Sequence, residues 1–159
     1  PMTGLYNRRY FDRKSEELIA AMATNQQEFT LLIADLDHFK NINDTYGHDV
    51  GDKVIIAFAN ILTSEQGLAD IACRYGGEEF VLLLNCNLLD AKQVAERIRQ
   101  KAQETYITID EVQTVQFTVS IGVHSVGHAS TTVKETLTIA DKALYKAKSN
   151  GRNCVEVAA

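Results

Sequence analysis

The sequence contains one proline in 159 residues and no internal repeat, so nothing marks a linker or a low-complexity tract. Cysteines are scarce: Cys73, Cys86 and Cys154 are odd in number, far apart and free of CxxC spacing. That pattern excludes a disulfide framework and a zinc site, and it suits a reducing cytoplasm. Basic charge is not in excess, the formal net charge being −5. Gripping a nucleic-acid backbone needs a basic face to neutralise phosphates, so no nucleic-acid partner is expected; a small anion held by a few convergent cations remains allowed. Apolar runs reach only strand length and no charged-then-apolar leader opens the chain, so no membrane contact and no export are expected.

What is present is ordinary for a globular domain, with 45% hydrophobic and 23% charged residues. A chain of this length buries roughly two-thirds of its extended surface around one core, so residues 1–159 read as a single domain. Phe29 to Asp35 is apolar on both faces, the mark of a central strand covered on each side. Asp70 to Tyr75 and Phe80 to Leu84 flank Gly76 and Gly77 and predict a hairpin turning at the double glycine. Val115, Phe117, Val119, Ile121 and Val123 alternate with polar residues, which predicts one strand with a single buried face. Helical spacing recurs through Val54 to Leu62, Ala91 to Ala102 and Val133 to Ala147. An opening helix from about Asn7 to Met22 and a closing strand near Cys154 to Val157 complete the order. Its centre is a βαββαβ unit, so the expected fold is α+β, a palm or ferredoxin-like core with a central, mainly antiparallel sheet flanked by helices.

Four stretches carry polar chemistry. Asp35-Leu36-Asp37-His38-Phe39-Lys40 emerges where the buried strand stops; strand alternation points Asp35 and Asp37 the same way, and hard carboxylate oxygens suit Mg²⁺. A solvated strand end explains this segment equally well by itself. Gly76-Gly77-Glu78-Glu79-Phe80 puts two carboxylates at a hairpin tip, and Glu78 can share a cation with Asp35 if the two strands are neighbours. Taken alone, it also fits an acidic turn. Asn41 to Asp52, read as the connection between strand and helix, is dense in groups that donate and accept; a carboxylate there suits the N1–H and N2–H₂ donors of guanine. Turn and cap chemistry suffices for Asp44, Gly47 and Gly51. Lys148 and Arg152 lie four residues apart at a helix end closed by Gly151, where they either hold a triphosphate or complement the helix dipole.

Together, in order and spacing, these stretches resemble the GGDEF family of diguanylate cyclase domains. Thr3-Gly4-Leu5-Tyr6-Asn7-Arg8-Arg9 and Ser120-Ile121-Gly122-Val123 extend the likeness over essentially the whole chain. The family's motif accepts glutamate at its third position, so Gly-Gly-Glu-Glu-Phe is a permitted form. The resemblance implies the fold of nucleotidyl cyclases and a cytoplasmic homodimer in which two GTP are condensed into cyclic di-GMP with loss of two pyrophosphates. It implies Mg²⁺, with Mn²⁺ as a substitute, on Asp35, the Leu36 carbonyl and Glu78. Glu79 would stand beside them, and the catalytic pair would be Glu78 and Glu79. Lys40, Lys148 and Arg152 would neutralise phosphates, Asn43 and Asp52 would read guanine, and Phe39 and His48 would adjoin the nucleotide. Glu78 is the candidate base, metal activation the alternative.

The rivals are a non-catalytic GGDEF nucleotide-binding module, whose lost carboxylates or lysine are not seen here, and an RNA-binding ferredoxin-like domain, disfavoured by the acidic balance and the missing aromatic strand. Pro1-Met2-Thr3 falls inside the family's opening motif, which implies a regulatory segment upstream, as in a larger sensor protein. Many members carry an Arg-x-x-Asp inhibitory site for the product; here it reads Gly67-Leu68-Ala69-Asp70, so the aspartate is kept and the arginine is glycine.

Overall fold

A computed structural model describes residues 2–25, 27–127 and 132–158; Pro1 lies outside them. The opening helix α1 spans Arg8–Ala20, with the Asn7 side chain accepting from the Tyr10 amide as N-cap, and a short α2 covers Met22–Asn25. Strand β1, Thr30–Leu36, is buried along its whole length. Alternation explains how: Leu32, Ala34 and Leu36 enter one apolar cluster, and Leu31 and Ile33 enter the other on the opposite face. Fully burying each large side chain is worth about 1.5 to 3 kcal/mol.

The sheet grows around β1. Strands β2, Ile71–Arg74, and β3, Glu79–Leu84, form the expected hairpin, and β3 pairs antiparallel with β1 so that Asp35 stands opposite Glu79. On the other side lies β6, Val119–Ser125, also antiparallel, and β7, Val155–Val157, closes the edge in parallel, giving the order β2-β3-β1-β6-β7. Helices α3, Phe39–Tyr46, and α4, His48–Glu65, follow β1; α5, Leu88–Gln103, follows β3, and α6, Val133–Ser149, follows β6. Residues of α4 and α5 join the first cluster, where Phe58 meets Phe80 edge-on at 5.0 Å, and residues of α1 and α6 join the second. The mixed α/β architecture with a mainly antiparallel sheet is the one expected.

Three sequence readings need correction. The strand read through Val115 to Val123 is broken: Thr114–Gln116 forms β5, which pairs with β4, Tyr106–Thr108, in a separate two-stranded sheet, and the main-sheet strand starts at Val119. The break falls where the Thr118 carbonyl accepts from the Asp37 amide at 2.9 Å, outside the strand ladder. Nor does β6 have only one buried face, because Ser120 is fully buried and a Cβ at Gly122 would lie 2.3 Å from the Ala140 carbonyl oxygen of α6. That missing side chain is what lets α6 press against the sheet. Finally, the polar stretch after β1 is helical rather than a connection, since α3 and the start of α4 pack together across Gly47.

Candidate functional site

The site forms where β1 ends. His38 takes a left-handed φ of 54°, which turns the chain out of the strand and into α3. Asp35 is 9% exposed, and its Oδ2 accepts from Lys148 Nζ at 2.7 Å. The hairpin tip is delivered by pairing, as the Leu36 amide donates to the Glu78 carbonyl at 3.2 Å. Arg74 closes that tip by donating twice to the Gly77 carbonyl, from Nε at 3.0 Å and Nη2 at 2.7 Å. Lys148 comes from the last turn of α6 and Arg152 from the turn beyond it.

These elements enclose a cavity of about 250 Å³, and Asp35, Leu36, Phe39, Lys40, Glu78, Lys148 and Arg152 all line it. Seven residues singled out in the sequence are therefore brought together. Asn43, His48 and Asp52 do not line it. Asn43, on α3, packs against Gly51 of α4, and His48 and Asp52 are exposed on the first turns of α4. Phe39 joins the two areas, since it lines the cavity and also approaches the position of a Gly51 Cβ. Asn43 Oδ1 is buried and has no hydrogen-bond partner among the described residues. Glu79 lines a neighbouring cavity of about 590 Å³ with Asp141, Arg8 and Asp12.

The charges strain one another. Burial lifts the Asp35 carboxyl above its ordinary range, Asp37 and Asp141 lift it further, and Lys148 pulls it back. Burial likewise raises Glu78, helped by the charge of Asp35, and raises Glu79, helped by Asp141 and Asp35. Crowded hard oxygens whose mutual repulsion a cation would relieve make a donor set that fits a divalent ion. Among the described residues no three acidic, histidine or cysteine side chains gather to hold a metal, so main-chain oxygen would have to complete such a set.

One structural residue escaped the sequence reading. Asp37 lines the same cavity as Asp35, as alternation suggested, but its carboxylate is already engaged, because Thr118 and Ser120 donate to it, each at 2.7 Å. The only local signal was the Asp-x-Asp spacing. The reduced inhibitory motif is also occupied in structure: Asp70 accepts from the Gly67 amide and the Asn85 amide, both at 2.7 Å. Arg74, Arg97 and Arg99 do not take Gly67's place beside it: Arg74 is tied to Gly77, Arg97 to Glu65, and Arg99 to Glu96, Gln103 and Asn153. Among the described residues no helix is long and apolar enough to cross a membrane.

A family profile described as "Diguanylate cyclase, GGDEF domain" matches residues 1–154. Diguanylate cyclase A of Treponema denticola is 44% identical over 158 residues, spanning 97% of this chain and 42% of that protein. Response regulator PleD of Caulobacter vibrioides is 40% identical over 156 residues, again 97% of this chain but 34% of the relative, so the chain spans well under half the length of either. Among solved structures, the GGDEF domain of DgcB from Caulobacter crescentus, in complex with c-di-GMP, superposes with a TM-score of 0.94 at 30% identity, covering 99% of this chain and 94% of that one.

Proposed function

The chain belongs to the diguanylate cyclase GGDEF domain family, and on that premise we propose that it is itself a diguanylate cyclase acting as a homodimer. Each of two GTP molecules offers its 3′-hydroxyl to the α-phosphate of the other. Two phosphodiester bonds form, two phosphoanhydride bonds break, and two pyrophosphates and two protons leave with one cyclic di-GMP. The observation that carries this reading is the convergence of Asp35, near the end of β1, and Glu78, from the hairpin tip beside it, with Lys148, from the last turn of α6, and Arg152, from the turn after it, on one cavity.

Phosphoryl-type transfer depends on positioning and charge neutralisation rather than on a covalent catalyst. Family members are generally dependent on a divalent metal. Asp35, Glu78 and the Leu36 carbonyl would hold Mg²⁺, or Mn²⁺ in its stead, which when bound neutralises phosphate charge and acidifies the attacking hydroxyl. Lys40, Lys148 and Arg152 supply the remaining positive charge along the phosphates. Asn43 and Asp52 read the guanine edge, where Asn43's unsatisfied oxygen gains a donor on rotation about χ2, and Phe39 and His48 adjoin the nucleotide. Glu78 is the candidate acceptor of the hydroxyl proton, with activation by the metal as the alternative.

The deciding experiment is incubation with GTP and Mg²⁺ over a range of protein concentrations, following cyclic di-GMP and pyrophosphate. Product should appear in a ratio of one to two, and specific activity should climb with protein concentration because two subunits must meet. Absence of product at every concentration, or constant specific activity from a monomer, overturns the proposal.

A further inference from the structure

Asp37 takes none of the roles above, yet it is 4% exposed and fully engaged. Thr118 Oγ1 and the Asn153 amide donate to its Oδ2 at 2.7 Å and 3.0 Å, and Ser120 Oγ donates to its Oδ1 at 2.7 Å. The carboxylate therefore ties the end of β1 to the turn after α6. That turn is unusual: Gly151, Arg152 and Asn153 take consecutive φ values of 108°, 64° and 47°. Side chains other than glycine resist this region, so something must hold Arg152 and Asn153 there. The Asn153 amide on Asp37 is one tether, and Asn153 Oδ1, accepting from Arg99 Nη1 at 3.1 Å, is a second. Arg152, between the tethers and Gly151, lines the 250 Å³ cavity.

We propose that Asp37 is a positioning residue whose carboxylate, by holding the Asn153 amide, fixes the left-handed turn that keeps Arg152 on the wall of the phosphate cavity. This rests on the reading of Arg152 as a phosphate ligand. A carboxylate offers acceptors on both oxygens. An asparagine in its place can aim its one oxygen at the Asn153 N–H while its amide group donates to a rotated Ser120 hydroxyl, so only a side chain without an acceptor, such as alanine, releases the tether.

The test is a double-mutant cycle on nucleotide binding, read by calorimetry with Mg²⁺ and guanosine 5′-(α,β-methylene)triphosphate, which cannot be cleaved at the reacting bond. Asp37→Ala and Arg152→Ala should each weaken binding about ten- to a hundredfold, the loss of one charge-assisted contact. The double variant should bind no worse than Arg152→Ala alone. Additive losses overturn the inference, since a defect unrelated to Arg152 would persist without it. Amide exchange at Asn153 gives a second readout that needs no nucleotide: it should speed up at least about tenfold in Asp37→Ala, and unchanged protection also overturns the inference. If Asp37→Ala does not fold, Thr118→Val removes one donor to the same oxygen with little change of shape. It should weaken binding in the parent and not in the Arg152→Ala background, and equal losses in both count against the tether. Parent-like binding by Arg152→Ala alone would instead refute the phosphate role of Arg152 on which the inference stands.

Discussion

Gly51→Ala adds one carbon at the place where the cavity meets the proposed base-reading residues. A Cβ there would lie 1.8 Å from Asn43 Oδ1, 3.0 Å from its Cγ and 3.3 Å from Phe39 Cζ. The first contact cannot exist, so Asn43 must swing away. It is the far end of a side chain, and the backbone need not move. Alanine gains roughly 0.5 to 1 kcal/mol over glycine inside a helix, while the displaced side chain and local crowding cost about 0.5 to 3 kcal/mol. Stability should therefore fall by no more than about 2 kcal/mol. Recognition should suffer out of proportion, because a neutral hydrogen bond to the base is worth roughly 0.5 to 1.5 kcal/mol, or about two- to tenfold in preference for GTP over ATP. The assay is kcat/KM for both nucleotides alongside a melting curve. A folded variant with the parent's discrimination would show that Asn43 does not read the base. Gly122→Ala is the control for the reasoning: its Cβ would meet main-chain atoms of α6 at 2.3 Å and 2.5 Å, which cannot rotate aside, so it should lose more than about 3 kcal/mol in a denaturant titration.

Glu78→Gln keeps the shape of a metal ligand and removes its charge; turnover should fall more than about tenfold, roughly 1.4 kcal/mol of barrier, with an unchanged melting temperature, and near-parent rates would mean Glu78 is not a ligand. Burial pushes Glu65 up, but hydrogen bonds from Lys101 and Arg97 outweigh it and hold the carboxyl below its usual range. A lowered folded-state value contributes stability above the unfolded value of 4.5 that is lost as pH falls through the folded one. Glu65→Gln should thus cost about 1 to 2 kcal/mol near neutrality and little in strong acid, measured by urea unfolding across that range; a gap independent of pH would contradict the ion-pair account. With Asp70 already bonded to two main-chain amides and glycine at 67, product inhibition by low-micromolar cyclic di-GMP should be slight. Gly67→Arg should strengthen it roughly ten- to a hundredfold after a small shift of the Asp70 carboxylate, which a Cβ would approach to 3.0 Å; equal inhibition of both proteins would reject the role of this position.

Local pattern carried the sequence reading wherever a feature is set by near neighbours. Both faces of β1 were legible because Leu31 to Leu36 must find apolar cover whichever way they point. The hairpin was legible because Gly76 and Gly77 separate two apolar runs, and the pair Lys148 and Arg152 because Gly151 ends their helix. The start of α4 at His48 was not legible: Asn, Asp and Gly from 41 to 52 favour turns by propensity, and the packing of α3 against α4 overrides that preference.

Asp37 marks where such reading stops. Its spacing from Asp35 suggested a second carboxylate for the same ion, yet its partners Thr118, Ser120 and Asn153 lie 81, 83 and 116 positions away in sequence. Nothing within reach of a local pattern distinguishes an aspartate that meets substrate from one that braces the loop presenting a phosphate ligand. The distinction is nevertheless physical. All three line one cavity, but burial, with neighbouring carboxylates adding to it, makes Asp35 and Glu78 hold their protons more tightly, whereas Asp37 accepts three hydrogen bonds. A carboxylate already accepting three hydrogen bonds has little capacity left for a divalent ion, so on the proposed reading the two aspartates divide the labour: the first would face the phosphates, and the second would keep Arg152 opposite it.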